Sequence, residues 1–159
     1  MKRRLLLTAV LVTVALLSGV PAETSPDADL LIANLNYSAS PHLKIQAMKA
    51  LSMRHDQRAV DAIYQNTTSP YLDVRLNALR SLSRYHDPAD LPFLESIILD
   101  YQGQYTVPER IVAIKAYVNI PGWDPAVLEE AQMLADNPVE EEILKKALLR
   151  ESLKLFNLR

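Results

Sequence analysis

The sequence predicts an all-α protein, a short α-solenoid of antiparallel helix pairs with about eight helices in its mature part. Three observations carry this. A short segment recurs at intervals of thirty-one and then thirty-five residues. Capping residue-proline dipeptides punctuate the chain at the places where helices should begin. No stretch alternates apolar and polar residues with the two-residue period of a half-buried strand.

The recurrence is read directly. Lys44-Ile45-Gln46-Ala47-Met48-Lys49-Ala50-Leu51-Ser52 runs into Met53-Arg54-His55-Asp56. Thirty-one residues later, Arg75-Leu76-Asn77-Ala78-Leu79-Arg80-Ser81-Leu82-Ser83 runs into Arg84-Tyr85-His86-Asp87. Alanine, leucine, serine, histidine and aspartate return at equivalent places, and the basic positions Lys44/Arg75 and Lys49/Arg80 also match. A third copy, Arg110-Ile111-Val112-Ala113-Ile114-Lys115-Ala116-Tyr117, keeps the arginine, the alanine and the second basic residue, and turns through Pro121-Gly122-Trp123-Asp124.

Helix starts are marked by Ser25-Pro26, Ser40-Pro41, Ser69-Pro70, Asp87-Pro88, Asp124-Pro125 and Asn137-Pro138. The side chain before each proline can accept from a free N–H, and proline is tolerated at the first helical position. Asp90, Glu109 and Glu140 stand where the acid of a capping box is expected. The starts divide the mature chain into A helices (41–54, 70–85, 107–120, 138–156) and B helices (26–36, 57–66, 88–101, 125–136). In the helix over 70–85, positions 72, 76 and 79 form one apolar stripe, and 74, 78 and 82 form another. Such a helix is packed on two sides.

The second unit reads Val74-Arg75-x-x-Ala78-Leu79-x-x-Leu82, then Asp87-Pro88-x-x-Leu91-Pro92-x-Leu94. This resembles the HEAT-like repeats also found in phycobilin lyases, and the resemblance extends over most of residues 26–136. It implies a right-handed superhelix whose B helices line a concave, partner-binding face. Lyase activity does not follow from it, because these repeats serve unrelated functions.

Two domains follow from composition. Residues 1–22 read as a signal peptide: Lys2-Arg3-Arg4, an uncharged run from Leu5 to Leu17, and Ser18-Gly19-Val20-Pro21-Ala22, with cleavage expected after Ala22. Retention as an anchor is the alternative, since Leu5 to Ala22 only reaches the lower limit of a span. Residues 23–159 form the repeat domain. The expected location is outside the cytoplasm: the periplasm of a Gram-negative cell, otherwise secreted or envelope-associated. The chain has no cysteine, which removes disulfides, thiolate metal sites and lipid attachment to an N-terminal cysteine. With 17 basic and 19 acidic residues, losing the three signal-peptide cations leaves a mature net charge of −5. Such a charge disfavours nucleic acid as a partner.

Catalytic motifs are missing: no HExxH, GxSxG, His-Glu pair or phosphate-cradling glycine loop occurs. No catalytic residue, cofactor or metal is assigned. His55 and His86 share a repeat position, but adjacent repeats would hold them about 8–10 Å apart, too far for one zinc unless both lean inward. They read as parts of His-Asp turns, with Asp56 and Asp87 as caps. Trp123 reads as a plug in its turn and Asp124 as a cap. Asn36-Tyr37-Ser38 and Asn66-Thr67-Thr68 read as chance matches to glycosylation acceptors at helix ends.

Charge is sorted by helix type. The first three A helices carry Lys44, Lys49, Arg54, Arg75, Arg80, Arg84, Arg110 and Lys115 against Asp73 and Glu109. The B helices and their caps carry twelve acids against Arg58 alone. Aligning the B helices places Asp61 with Glu129, and Tyr64 with Glu95 and Gln132. These five are the candidate partner-binding residues. The expected function is non-enzymatic: an exported scaffold or adaptor that binds another protein, one with a basic or mixed polar segment, through the B-helix face. Two alternatives stay open, an enzyme or cofactor-binding protein of the same architecture, and a peripheral membrane protein whose basic A face meets anionic lipid. Partner identity and oligomeric state are not legible.

Overall fold

The computed structural model describes residues 26–157, and side chains from 27 to 150; the expected signal segment lies outside them. Eight α-helices follow one another: α1 (Pro26–Tyr37), α2 (Pro41–Met53), α3 (Val60–Gln65), α4 (Leu72–Leu82), α5 (Leu91–Leu99), α6 (Val107–Tyr117), α7 (Pro125–Leu134) and α8 (Pro138–Asn157). There is no strand among the described residues, and no helix there is long and apolar enough to cross a membrane. Helices α2, α4, α6 and α8 pack side by side as an A layer, and each also packs on the B helix beside it. In the B layer α1 packs on α3 and α5 on α7. This is the stacked-pair solenoid expected from the repeat.

The repeat alignment places Ala47, Ala78 and Ala113 at one position, and all three are fully buried. A methyl there lets neighbouring helices approach closely. Helix α4 lies between two cores, as its two stripes require. Val74, Ala78 and Leu82 join Met48, Leu51 and Ile63, whereas Leu76 and Leu79 join Leu94, Ile97, Ile114 and Leu128. Leu72, at the helix start, is exposed. The last A helix closes the stack: Leu144 is fully buried, and Ile143, Ala147 and Leu148 pack on the second core. Leu149 remains 60 % exposed.

The A-to-B turns explain the histidines. His55 and His86 have φ of +52° and +53°, so each occupies the left-handed position that ends a helix. After α2, the His55 N–H reaches the Ser52 carbonyl and the Asp56 N–H reaches the Leu51 carbonyl, both of which lack an intrahelical donor. Asp56 and Asp87 then accept from the Arg58 and Ala89 N–H groups and start the next turn. The third unit has Gly122, at φ +85°, in its turn. Asp124 caps α7 by accepting from the Ala126 N–H, and Trp123 stands edge-on to Tyr117 with ring centroids 6.0 Å apart.

Three local expectations need correction. Helix α4 starts at Leu72 instead of Pro70, because the Ser69 hydroxyl takes the Tyr71 N–H at 3.4 Å in a local turn. Helices α3 and α5 are preceded by 3₁₀ turns over 57–59 and 88–90, so their α segments begin later than expected. Of the three expected capping boxes, only Thr106–Glu109 forms. Asp90 instead turns inward to Tyr64, and Glu140 turns to Arg110, because each has a stronger partner on a neighbouring helix.

Candidate functional site

The basic residues of the A layer fall into two groups. Lys44, Arg75 and Arg110 stand at one repeat position and all point into the stack. The Lys44 ammonium donates to Asn66 Oδ1 at 3.1 Å. Arg75 Nε donates to Glu109 Oε1 at 2.6 Å, and an Arg110 Nη donates to Glu140 Oε2 at 2.6 Å. Glu109 and Glu140 are buried. Burial alone would raise the Glu109 pKa, but the Arg75 guanidinium and the Thr106 hydroxyl and N–H together bring it below the usual carboxylate range. The two arginines therefore fasten neighbouring units through paired charges, whereas Lys44 ties the helices of its own unit through a neutral amide. Asn66, buried, also donates to the Leu35 and Ala62 carbonyls, so its amide is fully used within the fold. The other cations of the first three A helices, Lys49, Arg54, Arg80, Arg84 and Lys115, are exposed, and Arg84 also donates to the Ser52 hydroxyl at 3.1 Å.

The same sorting applies to the acids of the B layer. Asp56 is held by Arg58, through side-chain bonds of 3.0 and 2.7 Å, and its pKa is lowered accordingly. Arg58 also reaches Asp29 at 2.9 Å, tying the 57–59 turn before α3 to α1. Asp90 is buried against the Tyr64 hydroxyl, while its second oxygen has no hydrogen-bond partner among the described residues. Burial raises the Asp90 pKa, although the Tyr64 hydrogen bond opposes the rise.

The five candidate residues separate by role. The side chains of Asp61 and Glu129 are exposed and make no hydrogen bond or ion pair among the described residues. Tyr64 is half-buried, its ring 5.3 Å from that of Phe93 and its hydroxyl on Asp90, so it fastens α3 to α5. Glu95 is half-buried and accepts from the Tyr117 hydroxyl at 2.7 Å. Gln132 is half-buried on α7. The structure thus separates the five residues: two are free surface carboxylates, and two are also parts of the packing.

Beside Glu95 lies a cleft of about 450 Å³ at the C-terminal end of α5, walled by that helix and the 100–105 loop. Sequence reasoning missed most of its residues. Asp100, with φ +37°, ends α5 in the left-handed conformation. Its carboxylate staples the loop by accepting from the Gln104 N–H at 2.8 Å and the Tyr105 N–H at 3.0 Å. Tyr101 is exposed, and its hydroxyl donates to Glu130 on α7. Tyr117, fully buried, donates to Glu95 and accepts from the Asp124 N–H at 3.0 Å. One signal could have found it: the repeat alignment puts Tyr117 in the slot of Leu51 and Leu82, and a buried tyrosine there must find an acceptor. Among the described residues, no group of three or more metal-ligating His, Cys, Asp or Glu side chains comes together.

A two-layer stack of helix pairs, fastened by repeated arginine-glutamate bonds and holding its remaining charge on its surfaces, defines an α-solenoid of the repeat class. A family model for HEAT repeats matches residues 28–115, more than half of the chain. The chain belongs to the HEAT-repeat family, whose repeats generally act as protein-interaction scaffolds and are typically non-catalytic. No curated protein and no solved structure matches it.

Proposed function

We propose that this chain is an exported adaptor of the cell envelope that binds a basic or mixed polar segment of another protein across its B-helix surface. The observation that carries this reading is the fate of the charges. On the A side the strongest cations are consumed between repeats. On the B side Asp61 and Glu129 stay exposed and unpaired, and Glu95 and Glu130 are each oriented by a tyrosine hydroxyl. Carboxylates held this way steer and select a cationic partner more than they raise affinity.

The test is a charge reversal, Asp61→Lys with Glu129→Lys. Glu95 is left unchanged because it holds the buried Tyr117. Both substituted sites are exposed, so stability should stay within about 0.5 kcal/mol of the parent. A partner captured from an envelope fraction by the parent chain, released by salt and lost with the folded double variant, supports the B surface. Full retention across a salt series removes it. Export is checked separately by mass spectrometry: a mature N-terminus at or near Glu23 is expected, and intact Lys2-Arg3-Arg4 in the mature pool refutes cleavage.

A second reading, contact with anionic lipid through the A layer, is favoured by the exposed row Lys49, Arg80 and Lys115 at one repeat position. Flotation with vesicles containing anionic phospholipid, lost at high salt, would identify it.

A further inference from the structure

We infer that the cleft at the C-terminal end of α5 receives an arginine side chain of the partner, with its guanidinium between the Glu95 carboxylate and the Tyr101 and Tyr105 rings. The inference rests on the B-surface reading above and names what that surface recognises. Four features lead to it.

The first is charge. The cleft is lined by Glu95 and Asp100, and none of the described residues that line it is a cation. It also lies at the end of α5 where the helix presents its last carbonyls, the negative end of its dipole. The second is preorganisation. Glu95 Oε1 is fixed by the Tyr117 hydroxyl at 2.7 Å, which leaves its other oxygen for a donor from outside. The Asp100 carboxylate holds the loop through two backbone N–H groups, so the wall carrying Tyr101 and Tyr105 is set before anything enters. A site that is already ordered spends less of its binding free energy on ordering.

The third feature is shape chemistry. Tyr101 is 69 % exposed and its hydroxyl is anchored on Glu130 of the adjacent helix, so its ring stands as a fixed, open wall. Pro92 and Leu99 supply apolar surface beside it. A guanidinium is planar and weakly hydrated, stacks on aromatic faces and pairs with carboxylates through a rigid fork, and its methylene stem covers apolar walls. A lysine ammonium is a strongly hydrated point charge that uses the rings less well. The fourth is room: about 450 Å³ accommodates such a side chain with its hydration partly kept.

The test titrates the isotope-labelled protein with the blocked tripeptide acetyl-Gly-Arg-Gly-amide and with its citrulline and lysine counterparts, read by amide chemical shifts. Citrulline keeps the shape and loses the charge. The arginine peptide should give saturable shifts confined to the amides around Ser96, Tyr101 and Gln104, with the citrulline counterpart weaker by about tenfold or more, the worth of one charge-assisted contact, and the lysine counterpart weaker by about two- to fivefold, the worth of guanidinium stacking on an exposed ring. Glu95→Gln, which still accepts from Tyr117, should weaken the arginine peptide to a similar degree with an unchanged circular dichroism spectrum. Tyr101→Ala, at an exposed position, should weaken it without affecting folding. No localised shift, equal binding of citrulline, or equal binding of lysine overturns the assignment. If the peptide fails while the Asp61→Lys, Glu129→Lys variant still releases the captured partner, the pocket falls and the B surface stands. If the peptide binds and the reversal releases nothing, the B surface falls and the arginine site stands alone.

Discussion

Replacing Ala78 with leucine probes the contact on which the whole stack depends. Ala78 is 0 % exposed, and it shares a core with Ala47, Met48, Leu51, Val74 and Leu82, of which none is exposed. Leucine adds three carbons. Given free space, burying them would stabilise the fold by about 2 kcal/mol. The surrounding side chains are themselves fully buried on rigid helices and cannot move outward without separating α4 from its neighbours. Overpacking should therefore dominate, at a net cost of about 1–3 kcal/mol. For a domain of this size each kcal/mol lowers the melting temperature by roughly 3–6 °C, so a fall of about 3–18 °C is expected. Thermal unfolding followed by circular dichroism measures it. The control is Ala33→Leu, the same substitution at an exposed position of α1, which should change stability by less than about 0.5 kcal/mol. Equal melting temperatures for both variants would show that the Ala47/Ala78/Ala113 position is not a close helix contact.

Two electrostatic predictions follow from buried carboxylates. The folded pKa of Glu109 lies below its unfolded value, so its stabilisation is present above the unfolded pKa of about 4.5 and is lost as pH falls through the folded one. Glu109→Gln, which removes the charged partner of Arg75, should cost about 1–3 kcal/mol at neutral pH and flatten the acid limb of a stability profile; an unchanged limb would refute the inter-repeat bond. Asp90 has the opposite sign: its folded pKa is raised, chiefly by burial, so its contribution improves as pH falls from neutrality toward the unfolded value of about 3.8. In urea denaturation at pH 7, Asp90→Asn should be within about 1 kcal/mol of the parent or more stable. Asp90→Ala strands the Tyr64 hydroxyl and should lose about 1–3 kcal/mol. A destabilised asparagine variant would show that the charge itself is needed.

The sequence determined what is local or periodic. Repetition of Ala47, Ala78 and Ala113 marked the tight contacts, the two stripes of α4 marked a helix with two cores, and residue-proline pairs marked the starts of α1, α2, α7 and α8. The His-Asp turns were legible because a left-handed residue followed by a capping aspartate is a property of a few consecutive residues. Tertiary structure decided which charges remain free. A capping box involves four residues, so Glu109, Glu140 and Asp90 looked alike in the sequence. What separates them is the neighbour each meets across the stack: Glu109 fulfils its box and also takes Arg75, Glu140 is taken by Arg110, and Asp90 by Tyr64. The same holds for the B surface. Alignment placed Tyr64, Glu95 and Gln132 in one row, but Tyr64 is drawn to Asp90 and Glu95 to a buried tyrosine that sits where other repeats have leucine. A buried polar group takes whatever partner its surroundings supply, and those surroundings come from helices about thirty residues away in the chain, which no local pattern specifies.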